Sequence, residues 1–81
     1  MRSVFVVAPF DGGWCVKIED TGEVLFFTAG GAAERRAQAL AAEARRRGHG
    51  GEVRIHARDG HMVGCWIDGV RQAPPALDAA A

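Results

Sequence analysis

The sequence predicts an α+β fold of order β-β-β-α-β-β, an antiparallel meander plus a C-terminal hairpin in one sheet, with a single helix packed on one face. Three observations carry that expectation. Short runs of apolar/polar alternation are bounded by glycine and aspartate. The alternation gives way once to helical spacing, over residues 33–44, and it resumes after Gly50-Gly51. The 81 residues, 48% hydrophobic and 25% charged with three prolines, fit one globular domain rather than several or a disordered chain. A chain this short buries only about 60% of its unfolded surface, so its stability is marginal and of the kind often supplemented by disulfides, metal or self-association.

The first strand spans the β-rich run from Ser3 to Ala8 and is bounded by Pro9. Asp11-Gly12-Gly13 reverses the chain into Trp14-Cys15-Val16-Lys17-Ile18, where Trp14, Val16 and Ile18 share one face and Cys15 and Lys17 the other. Asp20-Thr21-Gly22 turns the chain again into a third strand from Glu23 to Phe27. Ala33, Ala37, Leu40, Ala41 and Ala44 then mark the narrow apolar stripe of a helix. Thr28 is its expected N-cap, and the helix proper is expected to begin near Ala32 because Gly30 and Gly31 weaken the first turn. Arg45, Arg46 and Arg47 suit the negative end of the helix dipole, and Gly48 suits a left-handed stop. An alanine stripe brings a helix close to its sheet.

The last hairpin, residues 52–67, turns at Asp59-Gly60. A two-residue turn there pairs Arg58 with His61, Ala57 with Met62, Ile55 with Gly64 and Val53 with Trp66. That register sends Val53, Ile55, Ala57, Met62 and Trp66 inward, and Arg54, His56, Arg58, His61, Val63 and Cys65 outward. A right-handed crossover lays the fourth strand parallel beside the first, giving the order 5-4-1-2-3. Cys15 and Cys65 then lie three strands apart, roughly 14 Å at about 4.8 Å per strand, beyond disulfide reach. Residues 1–71 are expected to form one domain, and residues 72–81, with Pro74-Pro75 and terminal alanines, a disordered tail.

The segments Val7-Ala8-Pro9-Phe10-Asp11-Gly12-Gly13-Trp14-Cys15-Val16-Lys17, Phe27-Thr28 before the alanine-rich helix, and Val53-Arg54-Ile55-His56-Ala57-Arg58-Asp59-Gly60 resemble a family of small bacterial proteins, the domain of unknown function 2188. The likeness covers about residues 4–63. It implies a compact α+β domain and brings no activity, substrate or catalytic residue with it. Ala29-Gly30-Gly31 departs from the stronger helix start of such proteins, and residues 62–71 extend the last strand.

Functional chemistry is sparse, and no cofactor is indicated. His56, His61 and Cys65 share the expected outer face, yet their spacing matches no zinc pattern, so no metal site is expected. Two cysteines beside tryptophans in strands read as small hydrophobes, and a domain this small offers little pocket for a nucleophile, a base and an oxyanion donor. The glycine pairs lack the Gly-Lys-Ser/Thr ending of a phosphate loop. The chain is therefore expected not to be an enzyme. The apolar run over residues 4–8 is too short for a signal segment or membrane span, which leads to the expectation of a soluble, cytoplasmic protein with reduced thiols and no membrane partner.

The net charge is zero but uneven. Residues 1–27 carry Arg2 and Lys17 against four acids, whereas residues 28–63 carry seven arginines against four acids. An anionic partner is permitted and not required. Lys17, Arg54, His56, Arg58 and His61 form the candidate interaction surface, and nucleic-acid binding on the basic outer face of the 52–67 hairpin is the alternative use. That use lacks interleaved aromatic residues in the expected register, which puts Trp14 and Trp66 inside. Self-association has the stronger argument. Val4-Phe5-Val6-Val7 and Val24-Leu25-Phe26-Phe27 are apolar on both strand faces, and one helix covers only one. The other face is expected to meet a second copy, as a homodimer, or another protein, with Lys17, Arg54 and His56 toward the rim. A competing expectation folds residues 62–71 over it.

Overall fold

The computed structural model describes residues 2–73. Strand β1 (Arg2–Phe10) turns into β2 (Gly13–Ile18) and β3 (Glu23–Phe27), the helix α1 (Gly30–Arg46) crosses over, and β4 (Gly50–His56), β5 (Met62–Ile67) and β6 (Val70–Arg71) follow. The six strands form one sheet in the order β3-β2-β1-β4-β5-β6. The sheet is mixed, because β4 runs parallel to β1 while the other neighbours are antiparallel. The expected order 5-4-1-2-3 differs in lacking β6, which joins at the β5 edge. The extension over residues 62–71 therefore continues the sheet and does not fold across its open face. The expected tail lies, from residue 74 on, outside the described residues.

Two Asp-Gly pairs explain the hairpins and the extra strand. Asp11 and Gly12 have φ of 48° and 79°, and Asp68 and Gly69 have φ of 52° and 83°. Two successive left-handed residues make the tight turn whose twist matches the flanking strands, so Phe10 pairs with Gly13 and Ile67 with Val70. Asp68 is also held at the start of β4, where its carboxylate accepts from the Gly51 N–H at 2.9 Å.

The third Asp-Gly pair behaves differently. Only Gly60 is left-handed there, with φ of 90°. The Gly60 N–H donates to the Ala57 carbonyl and the Ala57 N–H to the His61 carbonyl, so Ala57 and His61 close a three-residue loop. The Asp59 carboxylate accepts from the His61 N–H at 3.0 Å and organises this turn through a side chain. The longer loop shifts the register by a bulge: Val53 still faces Trp66 and Ile55 faces Gly64, but His56 faces Met62. The expected pairs Arg58 with His61 and Ala57 with Met62 are thus corrected. Met62 moves to the face of His56, and neither it nor Ala57 belongs to the core.

The core lies between α1 and the sheet. Ala33, Ala37, Ala41 and Ala44 bury against Phe5, Val7, Val16, Val53 and Ile55, with Leu25, Ile18, Trp14 and Trp66 packed around them. Alanine permits a close approach, and a Cβ on Gly51 would lie 2.6 Å from the Ala41 carbonyl oxygen. The helix starts at Gly30, earlier than Ala32, with Ala29 rather than Thr28 at the N-cap and no side-chain cap among the described residues. A Cβ at Gly30 would meet the Trp14 indole at 3.0 Å, so glycine serves packing there at the expense of helix propensity. At the other end Gly48 is left-handed, and the His49 and Gly48 N–H groups donate to the carbonyls of Ala44 and Arg45, a Schellman stop.

Candidate interaction surface on the open sheet face

Period-two geometry divides each strand between the helix and the opposite face. The cross-strand pairs place Val24, Lys17, Val6, Arg54 and Cys65 in one row across five strands of the open face. A second row runs Phe26, Cys15 and Ala8, and a third Val4, Glu52, Ile67 and Val70. No second described helix or strand packs over these rows, although Cys15 and Glu52 are buried among their neighbours. Phe10 and Phe26 are 52% and 64% exposed, with ring centroids 5.2 Å apart, and Val70 is exposed at the far corner.

Lys17, Arg54 and His56 line one shallow groove over Val6 and Ala8, on the strands flanking β1 and not at the expected rim. Arg54 is not a free cation. Its Nε donates to Glu52 at 2.5 Å, and Arg2 donates to the other carboxylate oxygen at 3.2 Å. Glu52 itself is only 5% exposed. The hydrogen bond to Glu52 raises the Arg54 pKa further, against a smaller opposing effect of burial. His56 Nδ1 lies 3.2 Å from the Gly60 carbonyl oxygen, which can only accept, so this nitrogen carries the proton.

Arg58 stays beside this group only in part, and His61 stands apart from it. Arg58 borders the groove at the loop, but its guanidinium lies 5.4 Å from the ring centre of Trp14, on the helix side. The three-residue loop causes this, because Arg58 is a turn residue and not the next step of β4. Arg71 covers Trp66 in the same way, at 5.4 Å. His61 projects from the turn, where its Nδ1 meets the Asp59 carboxylate at 3.0 Å. That hydrogen bond raises the His61 pKa and lowers that of Asp59.

Among the described residues no three His, Cys, Asp or Glu side chains converge on a metal-sized site. Both cysteines are free thiols, Cys15 buried in the open face and Cys65 half-buried beyond Arg54. No described helix is long and apolar enough to cross a membrane. Sequence reasoning missed Phe10 and Phe26 as aromatic groups on the same face as Lys17 and Arg54. The signal was available for Phe10. It immediately precedes a two-residue Asp-Gly turn, so it had to be the last paired residue of β1 and share the face of Ala8 and Val6. Glu52 was also missed, as an acid at the start of a strand reads as solvated until two arginines converge on it.

Residues 4–63 match the sequence profile of a family described as "Uncharacterized protein conserved in bacteria (DUF2188)". No curated protein and no solved structure matches the chain.

Proposed function

We propose that this chain, which belongs to the DUF2188 family of proteins conserved in bacteria, is a non-enzymatic protein-interaction module that self-associates through its sheet. The observation that supports this reading best is the uncovered face on which Phe10, Phe26, Val24 and Val70 are exposed. Burying such a patch gains about 25 cal/mol per Å2, and a soluble chain seldom leaves one open. The charges on this face also suit a second copy. Glu52 offsets part of the charge of Arg2 and Arg54, and Glu19 lines the groove beside Lys17, so a second copy meets interspersed acids and cations.

One observation favours a second reading, nucleic-acid binding. Exposed Phe10 and Phe26 beside Lys17, Arg54 and His56 combine stacking surfaces with cations, the elements of a single-strand platform. Arg54 committed to Glu52 and a net charge of zero weigh against it. Mass in solution, measured beside retention on heparin and single-stranded DNA columns across a salt gradient, separates the two. A mass above that of one chain with no salt-sensitive retention supports the interaction module. Retention that falls with salt and disappears in Arg54→Ala/Arg58→Ala supports nucleic acid and counts against the first reading.

A further inference from the structure

We infer that the free edge of β3 is a second self-recognition element, pairing with β3 of another copy in one antiparallel register centred on Leu25. This goes beyond the open-face reading, since it uses main-chain groups at the sheet edge. The hydrogen-bond phase of the meander fixes which groups are free. The Glu19 N–H donates to the Val4 carbonyl, so Glu19, Lys17 and Cys15 direct their main-chain groups toward β1. The alternate residues Trp14, Val16 and Ile18 then bond to Phe27, Leu25 and Glu23 of β3. Val24 and Phe26 are left with N–H and C=O directed away from the sheet.

A two-fold axis through Leu25, perpendicular to the sheet, pairs Val24 with the partner's Phe26 and Phe26 with the partner's Val24. All four free N–H and C=O groups of each β3 are satisfied in that register. The side chains agree with the main chain. Each valine meets an aromatic ring across the junction on the open face, a favourable cross-strand combination, and the two leucines meet on the helix face. Glu23, the sole charge in β3, faces the partner's Phe27 and not its own copy. The edge carries none of the usual blocks to pairing, with no proline, lysine or bulge in its five residues. At the opposite edge β6 has two residues, too short to take β3 in a head-to-tail filament, so the contact closes as a pair.

Leu25→Cys in a Cys65→Ser background tests the register, because directly opposed residues of a non-hydrogen-bonded pair lie about 4.5 Å apart at Cα, within disulfide reach. Under mild oxidation this variant is expected to become a covalent dimer, while Val24→Cys in the same background, offset from its own copy, stays uncrosslinked. A Leu25→Cys chain that remains uncrosslinked, or links no faster than Val24→Cys, overturns the inference. Amide exchange on the unmodified chain provides a second measurement. Val24 and Phe26 amides are expected to slow about tenfold or more between dilute and concentrated samples, and unchanged exchange overturns it equally. Adding Phe10→Asp/Val70→Asp separates the two contacts: crosslinking that survives loss of the open-face contact leaves the β3 pairing standing alone.

Discussion

At the scale of single residues the chain is governed by where a Cβ fits and where a charge is shared. Gly51 faces the Ala41 carbonyl so closely that Gly51→Ala must push α1 off β4. Overpacking of this kind costs about 1–3 kcal/mol, read as a lower denaturant midpoint at unchanged slope. Gly31→Ala has room, with only the mobile end of Arg35 nearby, and should stabilise by about 0.5 kcal/mol through helix propensity. The two glycines look alike in the sequence and oppose one another in effect. Glu52→Gln should cost about 1–2 kcal/mol, since it removes a buried acceptor while the two arginines, half-exposed, regain water. The alanine stripe and the valine and isoleucine core were legible from spacing alone. Gly30 and Glu52 were not, because their reasons lie in Trp14 and Arg2, residues distant in sequence.

At the scale of elements the three Asp-Gly turns carry the lesson. The dipeptide announces a reversal each time, and it does not announce the loop length. Where Asp adopts left-handed φ the strands leave the turn in the two-residue register, as at Asp11 and Asp68. At Asp59 the carboxylate grips His61, the loop lengthens, and the pairing between the bulge and the turn shifts by one while Val53 and Ile55 keep their expected partners. That shift is why the expected pairing of Arg58 with His61 fails: Arg58 borders the groove of Lys17, Arg54 and His56 but carries its guanidinium to Trp14, and His61 projects from the turn beside Asp59. The Asp59–His61 pair has a pH signature with a defined sign. His61, its pKa raised in the fold, stabilises the turn below its unfolded value, and that contribution is lost as pH rises through the folded value. Asp59, its pKa lowered, contributes above its unfolded value and loses this as pH falls through the folded one. An NMR titration should place the His61 midpoint above that of an unperturbed imidazole, and Asp59→Asn should return it. A midpoint unaffected by that substitution means the pair does not form in solution.

At the scale of the whole molecule, one helix among the described residues serves a six-stranded sheet and packs on one of its two faces. The strand composition made that imbalance legible, since residues 4–7 and 24–27 are apolar on both faces. What the composition hid was β6, whose two residues are too few to show alternation and which exists because Asp68-Gly69 folds back onto β5. With residues 62–71 committed to the sheet, no described strand or helix packs over the open face, and the proposed association would bury Phe10, Phe26 and Val70. Sedimentation equilibrium of the native chain beside Phe10→Asp/Val70→Asp tests this most directly, because both residues are exposed and their replacement leaves the core intact. The native chain should rise above its 8.6 kDa single-chain mass with concentration, and further than the variant, to which only the β3 edge is left for pairing. Equal masses for the two at every concentration would contradict association through the open face.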